Sequence, residues 1–252
     1  WLLLQIENML FLIPWYVMIA VAFLLGWRLK SVWSGVTFAL LLFLIGTFGY
    51  WEFMIYTLAI VLGSVLISVV LGVPIGVLAA YNSRLEVVLK PLLDAMQTMP
   101  SFVYLIPAMM LFGMGKVPAV FATIIYAIPP VIRLTNLAIR EVSAEMVEAA
   151  ESFGSSTWQI LRKIQLPQAL PTIMTGVNQT TMMALSMVVI ASMVGAKGLG
   201  MEVLTAINRI DIAQGFEAGI SIVFLAIIID RLSQGAIGKS RVNGKTNNGR
   251  VN

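Results

Sequence analysis

The sequence predicts an all-α polytopic membrane protein, and its composition is the first reason. Of the 252 residues, 59% are hydrophobic and 11% are charged, with a mean hydropathy of +0.93. Soluble domains carry about 25% charged residues, so an ordinary soluble domain is excluded. The chain has no Cys and no His, which excludes imidazole or thiolate metal sites, thiol nucleophiles and disulfides. We therefore expect no catalysis by this chain alone.

Uncharged stretches place the membrane-spanning helices, because a charge at mid-bilayer costs roughly 2.5–3.5 kcal/mol and a span needs about 20 residues. About seven spans are predicted, at residues 8–27, 31–51, 53–83, 95–115, 117–132, 164–196 and 213–230. The fifth stretch is short and closes on Pro129 and Pro130, so its helix is expected to end near Ala127. The seventh contains Glu217, which lies close enough to one end for interfacial solvation.

The distribution of basic residues predicts the orientation. Of the 16 Lys and Arg residues, alternating loops put only Lys116, Lys197 and Arg209 on one side of the membrane. The others lie on the opposite side, which the positive-inside rule assigns to the cytoplasm. The N-terminus is therefore expected outside and the C-terminus inside, and the net charge of +4 requires no nucleic acid partner. Residues 235–252 are predicted to form a basic, disordered cytoplasmic tail, either a solvated orientation signal or a contact to anionic lipid.

The longest cytoplasmic stretch, residues 133–168, is predicted to form two short helices joined at a glycine. Ser143 can cap the first helix, and Gly154 can end it in the left-handed conformation. The second helix starts at residues 155–157 and is expected to end at Pro167.

The first of these helices has one polar and one apolar face. The polar face carries Glu141, Glu145, Glu148 and Ser152, and the apolar face carries Met146, Ala149, Ala150 and Phe153. Such a helix could lie flat on lipid headgroups, but anionic leaflets repel its acidic side chains. Its small alanines would also let a groove on another protein approach the backbone closely. The residues therefore favour a protein partner.

These residues also carry a family signature. Glu148-Ala149-Ala150, Gly154 and the run Ile164-Gln165-Leu166-Pro167 match the pattern EAA-x3-G-x9-I-x-L-P. The chain thereby resembles the transmembrane subunits of binding-protein-dependent ABC importers. Residues 93–107 and 184–196 resemble, more narrowly, the permeases of glycine betaine and proline betaine importers. The resemblance covers residues 49–234.

The resemblance implies the type I ABC importer transmembrane fold, with peripheral N-terminal spans at 1–48 and a core permease domain at 49–234. Residues 142–154 would be a coupling helix that docks on a separate ABC ATPase subunit, with Ala149 and Ala150 facing its cleft. The implied ATPase-coupling residues are Glu145, Glu148, Ala149, Ala150, Gly154, Ile164, Leu166 and Pro167. ATP and Mg would bind to that subunit, with no cofactor in this chain. An extracellular substrate-binding protein or domain, a second permease copy forming a homodimer, and a bacterial inner membrane complete the implied setting.

The candidate translocation pathway consists of polar, aromatic and Met residues in the fourth and sixth spans. They are Gln97, Thr98, Met99, Pro100, Phe102, Tyr104, Gln179, Met182, Met183 and Ser186. In the sixth span, one helical face is predicted to carry Thr175, Gln179, Met182, Ser186, Val189 and Met193. Aromatic faces can pass a quaternary ammonium ion by cation–π attraction of about 0.5–2 kcal/mol per ring. Hydrogen bonding between helices would account equally well for any one of the polar groups.

Energy coupling separates the functional alternatives. The third and sixth spans hold no acidic or basic residue, so nothing obvious could bind a driving ion or relay a proton. We therefore expect ATP hydrolysis in the partner subunit to drive transport, and the resemblance implies that the solute is glycine betaine or a related compatible solute. The alternatives are an ABC permease for another small solute, such as an amino acid, and a gradient-driven osmolyte carrier.

Overall fold

The computed structural model describes the backbone of residues 2–248 and the side chains of residues 2–235. Within that part of the chain every regular element is helical, which confirms the all-α prediction. The α-helices are α1 (Leu2–Leu12), α2 (Trp15–Leu29), α3 (Val32–Thr47), α4 (Trp51–Tyr81), α5 (Ser83–Thr98), α6 (Leu105–Phe112), α7 (Lys116–Ala127), α8 (Pro129–Arg140), α9 (Ala144–Ser152), α10 (Thr157–Ile160), α11 (Leu166–Ser192), α12 (Leu199–Arg209) and α13 (Ile212–Asn248). A 3₁₀ turn, Ser101–Tyr104, precedes α6, and a π-helical turn, Leu161–Gln165, precedes α11.

Four helical stretches of the described chain are long and apolar enough to cross a bilayer. They are Trp51–Tyr81, Lys116–Arg140, Thr157–Ser192 and Ile212–Gly235. The first predicted span is instead a bent pair, with 96° between α1 and α2, and the fourth is another, with 109° between α5 and the segment Ser101–Phe112. Counting each bent pair as one span gives up to 6, and the predicted second span corresponds to α3, an apolar helix of 16 residues. The structure therefore departs from seven unbroken spans.

Prolines explain both bends. Pro14 precedes α2 and Pro100 precedes the 3₁₀ turn. A proline has no N–H to donate and pushes the residue before it into extended backbone, as in Met99 with ψ of 135°. Counting uncharged residues does not detect such breaks, because a proline leaves the hydropathy of the stretch almost unchanged.

At two other positions the helix continues through prolines. Helix α7 ends at Ala127 as predicted, but α8 follows at once with Pro129 in its first turn, where the missing N–H costs nothing. The prediction that Pro167 ends a helix is wrong, because α10, the π turn and α11 follow one another without a break. In the π turn the Leu166 N–H donates to the Leu161 carbonyl, five residues back. This wider turn shifts the hydrogen-bond register just before the proline, so the helix accommodates it.

Close helix packing holds the centre of the molecule together, where α4, α7, α8 and α11 meet. Two glycines of α4, Gly72 and Gly76, both face α8. A Cβ added to Gly76 would lie 2.6 Å from the Thr135 Cβ and 2.7 Å from the Ile132 carbonyl oxygen. The two backbones can therefore approach this closely only because the side chain is absent.

A buried ion pair ties the N-terminal helix to this body. Glu7 on α1 is 5% exposed, and the Lys116 Nζ lies 2.7 Å from its Oε2. The same ammonium group stands 4.6 Å from the centroid of the Tyr56 ring. Lys116 was expected only as a charge on the outer loop, and its partner lies more than a hundred residues away in sequence.

Helix α13 continues to Asn248, over most of the segment for which a disordered tail is predicted. That segment contains no proline to end the helix. The side chains of the tail from residue 236 onward, and residues 249–252 altogether, lie outside the described residues.

Candidate coupling and translocation sites

Helix α9, the predicted coupling helix, is almost entirely exposed. It lies between α8 and α10, and three residues, 141–143, connect it to α8. Ser143 stands at its N-cap position as predicted, although its side chain makes no capping hydrogen bond. The predicted polar face, including Glu145 and Glu148, is open to solvent. The helix therefore presents carboxylates on the side of the molecule that the charge distribution assigns to the cytoplasm.

Gly154 ends α9 as predicted, in the left-handed conformation with φ of +78°. Its N–H donates to the Glu151 carbonyl at 2.8 Å, and the Ser155 N–H donates to the Ala150 carbonyl at 3.0 Å. This pair of bonds is the Schellman motif, which satisfies carbonyls that the end of a helix otherwise leaves free. Ser156 and Gln159 then form a reciprocal capping box that starts α10. Hydrogen bonds thus fix the backbone on both sides of the turn between α9 and α10. We call these two helices and the turn between them, residues 144–160, the knuckle.

The two adjacent alanines of the motif do not face the same way. Ala149 is exposed, whereas Ala150 is buried. Successive helical residues are about 100° apart, so the expectation that both alanines face a partner's cleft is corrected by the geometry. Ala150 lies on the inner face of α9 with Met146, whose Sδ accepts a hydrogen bond from the Gln168 side chain at 3.3 Å.

Two aromatic side chains beside the knuckle were not among the candidate coupling residues. Phe153 is 90% exposed and Trp158 is 65% exposed. They flank Gly154 from either side, so the knuckle combines apolar rings with the acids of α9. Large exposed aromatic rings next to charged groups are typical of interaction surfaces. Their position around the signature glycine was the sequence signal that could have identified them.

The second half of the signature anchors the base of the knuckle. Leu166 packs against a cluster that contains Ala138, Ile139, Leu161, Ala169 and Ile173. The Gln165 side chain, itself buried, accepts a hydrogen bond from the Tyr81 hydroxyl at the end of α4. Ile164 is half-buried and Pro167 is exposed. Gln165 and Leu166 therefore join the knuckle to α4 and α8 instead of lining an exposed surface.

The candidate pathway residues of the fourth span lie around the break at Pro100. Met99 is 39% exposed and Phe102 is 47% exposed, and Gln97, Thr98 and Pro100 are exposed as well. Tyr104 differs, because it is 6% exposed and donates its hydroxyl to the Met96 carbonyl. Its ring packs at a tilt against Tyr126, with 5.9 Å between the ring centroids. Tyr104 thus stabilises the break from inside, while its neighbours remain uncovered.

The predicted stripe on the sixth span is confirmed as an uncovered face of α11. Thr175, Gln179, Ser186 and Met193 are exposed, and Met182 and Val189 are half-buried. The opposite face of the helix is buried, including Thr180, Ala184 and Met187. Met183 is half-buried and packs against the core. The 3₁₀ turn of the fourth span contacts α11, so the structure brings the two halves of the candidate pathway to neighbouring elements.

A charged network between α5 and α8 was missed at the sequence level. The Arg133 Nη2 lies 2.6 Å from the Asp94 Oδ1, and the Arg140 Nη2 lies 2.8 Å from the Glu86 Oε2. Asn136 donates to Glu86 at 3.2 Å. The signal was present, because acids on one helix and arginines on the other recur at helical spacing, but their pairing depends on how the helices are placed.

A family model agrees with this architecture. Residues 72–236 match the binding-protein-dependent transport system inner membrane component. Two solved structures resemble the fold. An inward-facing form of the MetNI methionine ABC transporter has a TM-score of 0.67 and 23% sequence identity, and the match covers 73% of this chain and 93% of that one. An amino acid ABC transporter with histidines has a TM-score of 0.60 and 22% sequence identity, and the match covers 75% of this chain and 91% of that one. At these identities the likeness concerns the fold alone.

Several curated relatives are far more similar in sequence. The glycine betaine/carnitine transport permease protein GbuB of Listeria monocytogenes is 53% identical over 224 residues, 88% of this chain and 79% of its own. The glycine betaine/proline betaine transport system permease protein ProW of Escherichia coli is 50% identical over 238 residues, which are 94% of this chain and 67% of its own. The glycine betaine transport system permease protein OpuAB of Bacillus subtilis is 52% identical over 201 residues, which are 80% of this chain and 71% of its own. The chain therefore belongs to the family of inner membrane permease components of binding-protein-dependent ABC transport systems.

Proposed function

We propose that this permease takes up glycine betaine or a closely related methylated-ammonium solute. The observation that carries the proposal is the identity of 50–53% with permeases named for glycine betaine, over most of the chain. A permease named for trimethylamine N-oxide is less similar, at 38%. These solutes share a nitrogen with four substituents, which aromatic faces and soft methionine side chains can contact without a hydrogen bond. The exposed Phe102 and the Met residues of the pathway supply such surfaces.

Energy for transport comes, in this proposal, from a separate ATPase subunit that docks on the knuckle. The exposed acids Glu145 and Glu148, with Ala149, form the polar side of the docking surface, and Phe153 and Trp158 form its apolar side. Gly154 sets the angle between α9 and α10. Leu166 packs this surface against α8 and α11, and the Gln165 side chain ties it to the end of α4. ATP and Mg belong to that partner.

The uncovered stripe of α11 supports a pathway shared by two copies of this chain. A helix with one buried and one uncovered face needs a second surface or water on the uncovered side. Here the uncovered face carries the Gln179 amide, which lipid would not solvate, whereas the Ser186 hydroxyl on the same face donates to the Met182 carbonyl within the helix. A homodimer would enclose these stripes together with the breaks at Pro100, and an extracellular binding protein would deliver the solute from the side opposite the knuckle.

The test is uptake into proteoliposomes that contain the permease, its cognate ATPase subunit and its binding protein. Radiolabelled glycine betaine should accumulate only with ATP and all three components. Unlabelled proline betaine, carnitine and trimethylamine N-oxide should compete, whereas methionine should not. Accumulation without ATP under an ion gradient would refute ATP-driven import, and competition by an amino acid alone would reassign the solute. Glu148→Arg, which should insert in the membrane but bind the ATPase poorly, is the matched control.

A further inference from the structure

We propose that the two ion pairs between α5 and α8 transmit movement of the coupling helix to the pathway break at Pro100. This inference rests on the proposed function, because it concerns how ATPase docking reaches the solute. It assigns Glu86, Asp94, Arg133 and Arg140 as positioning residues that do not touch the solute.

The helix pair α8 and α5 connects the two candidate sites, the coupling helix α9 and the pathway break at Pro100. Helix α8 ends at Arg140, three residues before α9 begins, so it is the stem of the coupling helix. Helix α5 ends at Thr98, directly before the break that exposes Met99 and Phe102. Any force that the ATPase applies to α9 therefore enters α8, and any movement of α5 changes the position of the break.

Polar contacts hold α5 on α8. Within α5, Leu93 alone among its described residues is buried, while Val87, Val88 and Leu92 are 54–71% exposed. A cavity of about 290 Å³ lies between the two helices, lined by Leu89, Lys90 and Leu137 among others. The interface therefore lacks the interlocked apolar packing that normally fixes two helices against each other. Two ion pairs cross the interface beside the cavity, Arg140–Glu86 with both side chains about one-third exposed and Arg133–Asp94 with both about half exposed. They favour one register of the two helices without locking them rigidly together.

The spacing of the charges sets an antiparallel register. Glu86 and Asp94 are eight positions apart on α5, and Arg133 and Arg140 are seven apart on α8. At about 1.5 Å per residue these spacings are about 12 Å and 10.5 Å, so both pairs can form at once in one register. A slide of one helical turn, about 5.4 Å, would break both pairs.

Arg140 joins a third helix to the network. Its Nη2 also donates to the Ala79 carbonyl of α4 at 3.1 Å, and its Nε donates to Asn136 at 2.9 Å. One guanidinium group thus contacts α4, α5 and α8 at the point where the chain leaves the body for the knuckle. The planar fork of Arg can hold several acceptors in fixed directions, which suits a residue that keeps three helices in register.

The experiment is charge reversal in the reconstituted importer, scored as glycine betaine imported per ATP hydrolysed. The Asp94–Arg133 pair is the one to reverse, because no other side-chain partner of either residue is described. Asp94→Arg and Arg133→Asp should each lower this ratio by about tenfold, with ATPase binding and ATP hydrolysis within about twofold of wild type. The double reversal, Asp94→Arg with Arg133→Asp, should restore the ratio to within about threefold. Arg84→Glu, on the same helix but without a described side-chain partner, is the control and should leave the ratio unchanged. Normal coupling in both single variants, or no recovery in the double variant, overturns the inference.

A cross-linking measurement keeps the inference testable if the reversals fail to fold. The chain contains no Cys, so Leu89→Cys with Leu137→Cys introduces the only two thiols, on opposite sides of the cavity. If α5 and α8 move as one body, joining them with a short bismaleimide leaves uptake within about twofold. Loss of uptake on cross-linking, with uptake intact before it, shows that the helices must separate and overturns the inference. Failure of the proposed function would appear differently, as no ATP-dependent betaine uptake by the wild type.

Discussion

Replacing Gly154 with Asn, Ala and Val should weaken docking of the ATPase subunit in that order. Gly154 has φ of +78°, and a Cβ added to it would meet no atom within 4 Å. A side chain at this position therefore causes no clash within the chain. Its cost comes from the backbone conformation, which disfavours L-residues other than Asn and Asp by roughly 1–2 kcal/mol.

This strain converts directly into a docking defect. The Schellman bonds from Gly154 and Ser155 exist only while residue 154 stays left-handed. A penalty of 1–2 kcal/mol lowers the ratio of that shape to the alternatives by a factor of about 5–30, and lowers its population by at most that factor. If the ATPase binds this shape alone, the apparent Kd of Gly154→Ala rises by the same factor. Gly154→Asn should stay within about threefold, and the β-branched Gly154→Val should exceed the Ala variant.

The assay is binding of the purified ATPase subunit to the permease in nanodiscs, measured as a Kd for each variant. Gly49→Ala is the matched control, because Gly49 has φ of +79°, no atom within 4 Å of an added Cβ and the same pair of Schellman bonds, at the end of α3. It introduces the same kind of strain at the predicted outer end and should not change docking. Wild-type affinity for both Gly154→Ala and Gly154→Val, or an equal loss in Gly49→Ala, would refute the reasoning.

Three further outcomes are expected. Glu148→Arg should reduce ATPase affinity by at least about 2 kcal/mol, because it reverses an exposed charge of the docking helix; co-purification with the ATPase measures it, and undiminished recovery would contradict a docking role. Glu7→Gln should lower the free energy of unfolding by up to about 3 kcal/mol, since it leaves the Lys116 ammonium without its buried anionic partner. Thermal unfolding in detergent measures this loss, and Glu52→Gln, on the exposed start of α4, is the control. Gly76→Val should destabilise the chain by about 1–3 kcal/mol through overlap with Thr135, and an unchanged melting temperature would show that α4 and α8 can separate at low cost.

The coupling segment shows how far sequence reasoning reaches. Ser143 as N-cap position, Gly154 as left-handed end and the start of the next helix near residue 157 are all confirmed. Each depends on residues within about four positions of one another, so the sequence contains the whole interaction. Pro167 was misjudged because the π turn before it is a rarer solution that local propensity does not indicate.

The candidate pathway was predictable as a pattern but not as a surface. The stripe from Thr175 to Met193 follows from helical periodicity alone, and the structure leaves that face uncovered. Tyr104 and Phe102 are both aromatic residues just after Pro100, so the sequence does not distinguish them. The Tyr104 ring is nevertheless buried, and the Phe102 ring is exposed. The difference depends on Tyr126 and the neighbouring helices, which periodicity does not position.

The amino-acid sequence by itself determined that this protein is helical and membrane-embedded, which family it resembles, and where its coupling knuckle begins and bends. These properties follow from composition and from contacts between residues close together in the chain. The tertiary structure decided which alanine of the signature faces outward, and that Asp94 pairs with Arg133 and Glu7 with Lys116. Those partners are separated by 39 and 109 positions, and an electrostatic contact depends on the distance between charges in space, which only the packed helices set.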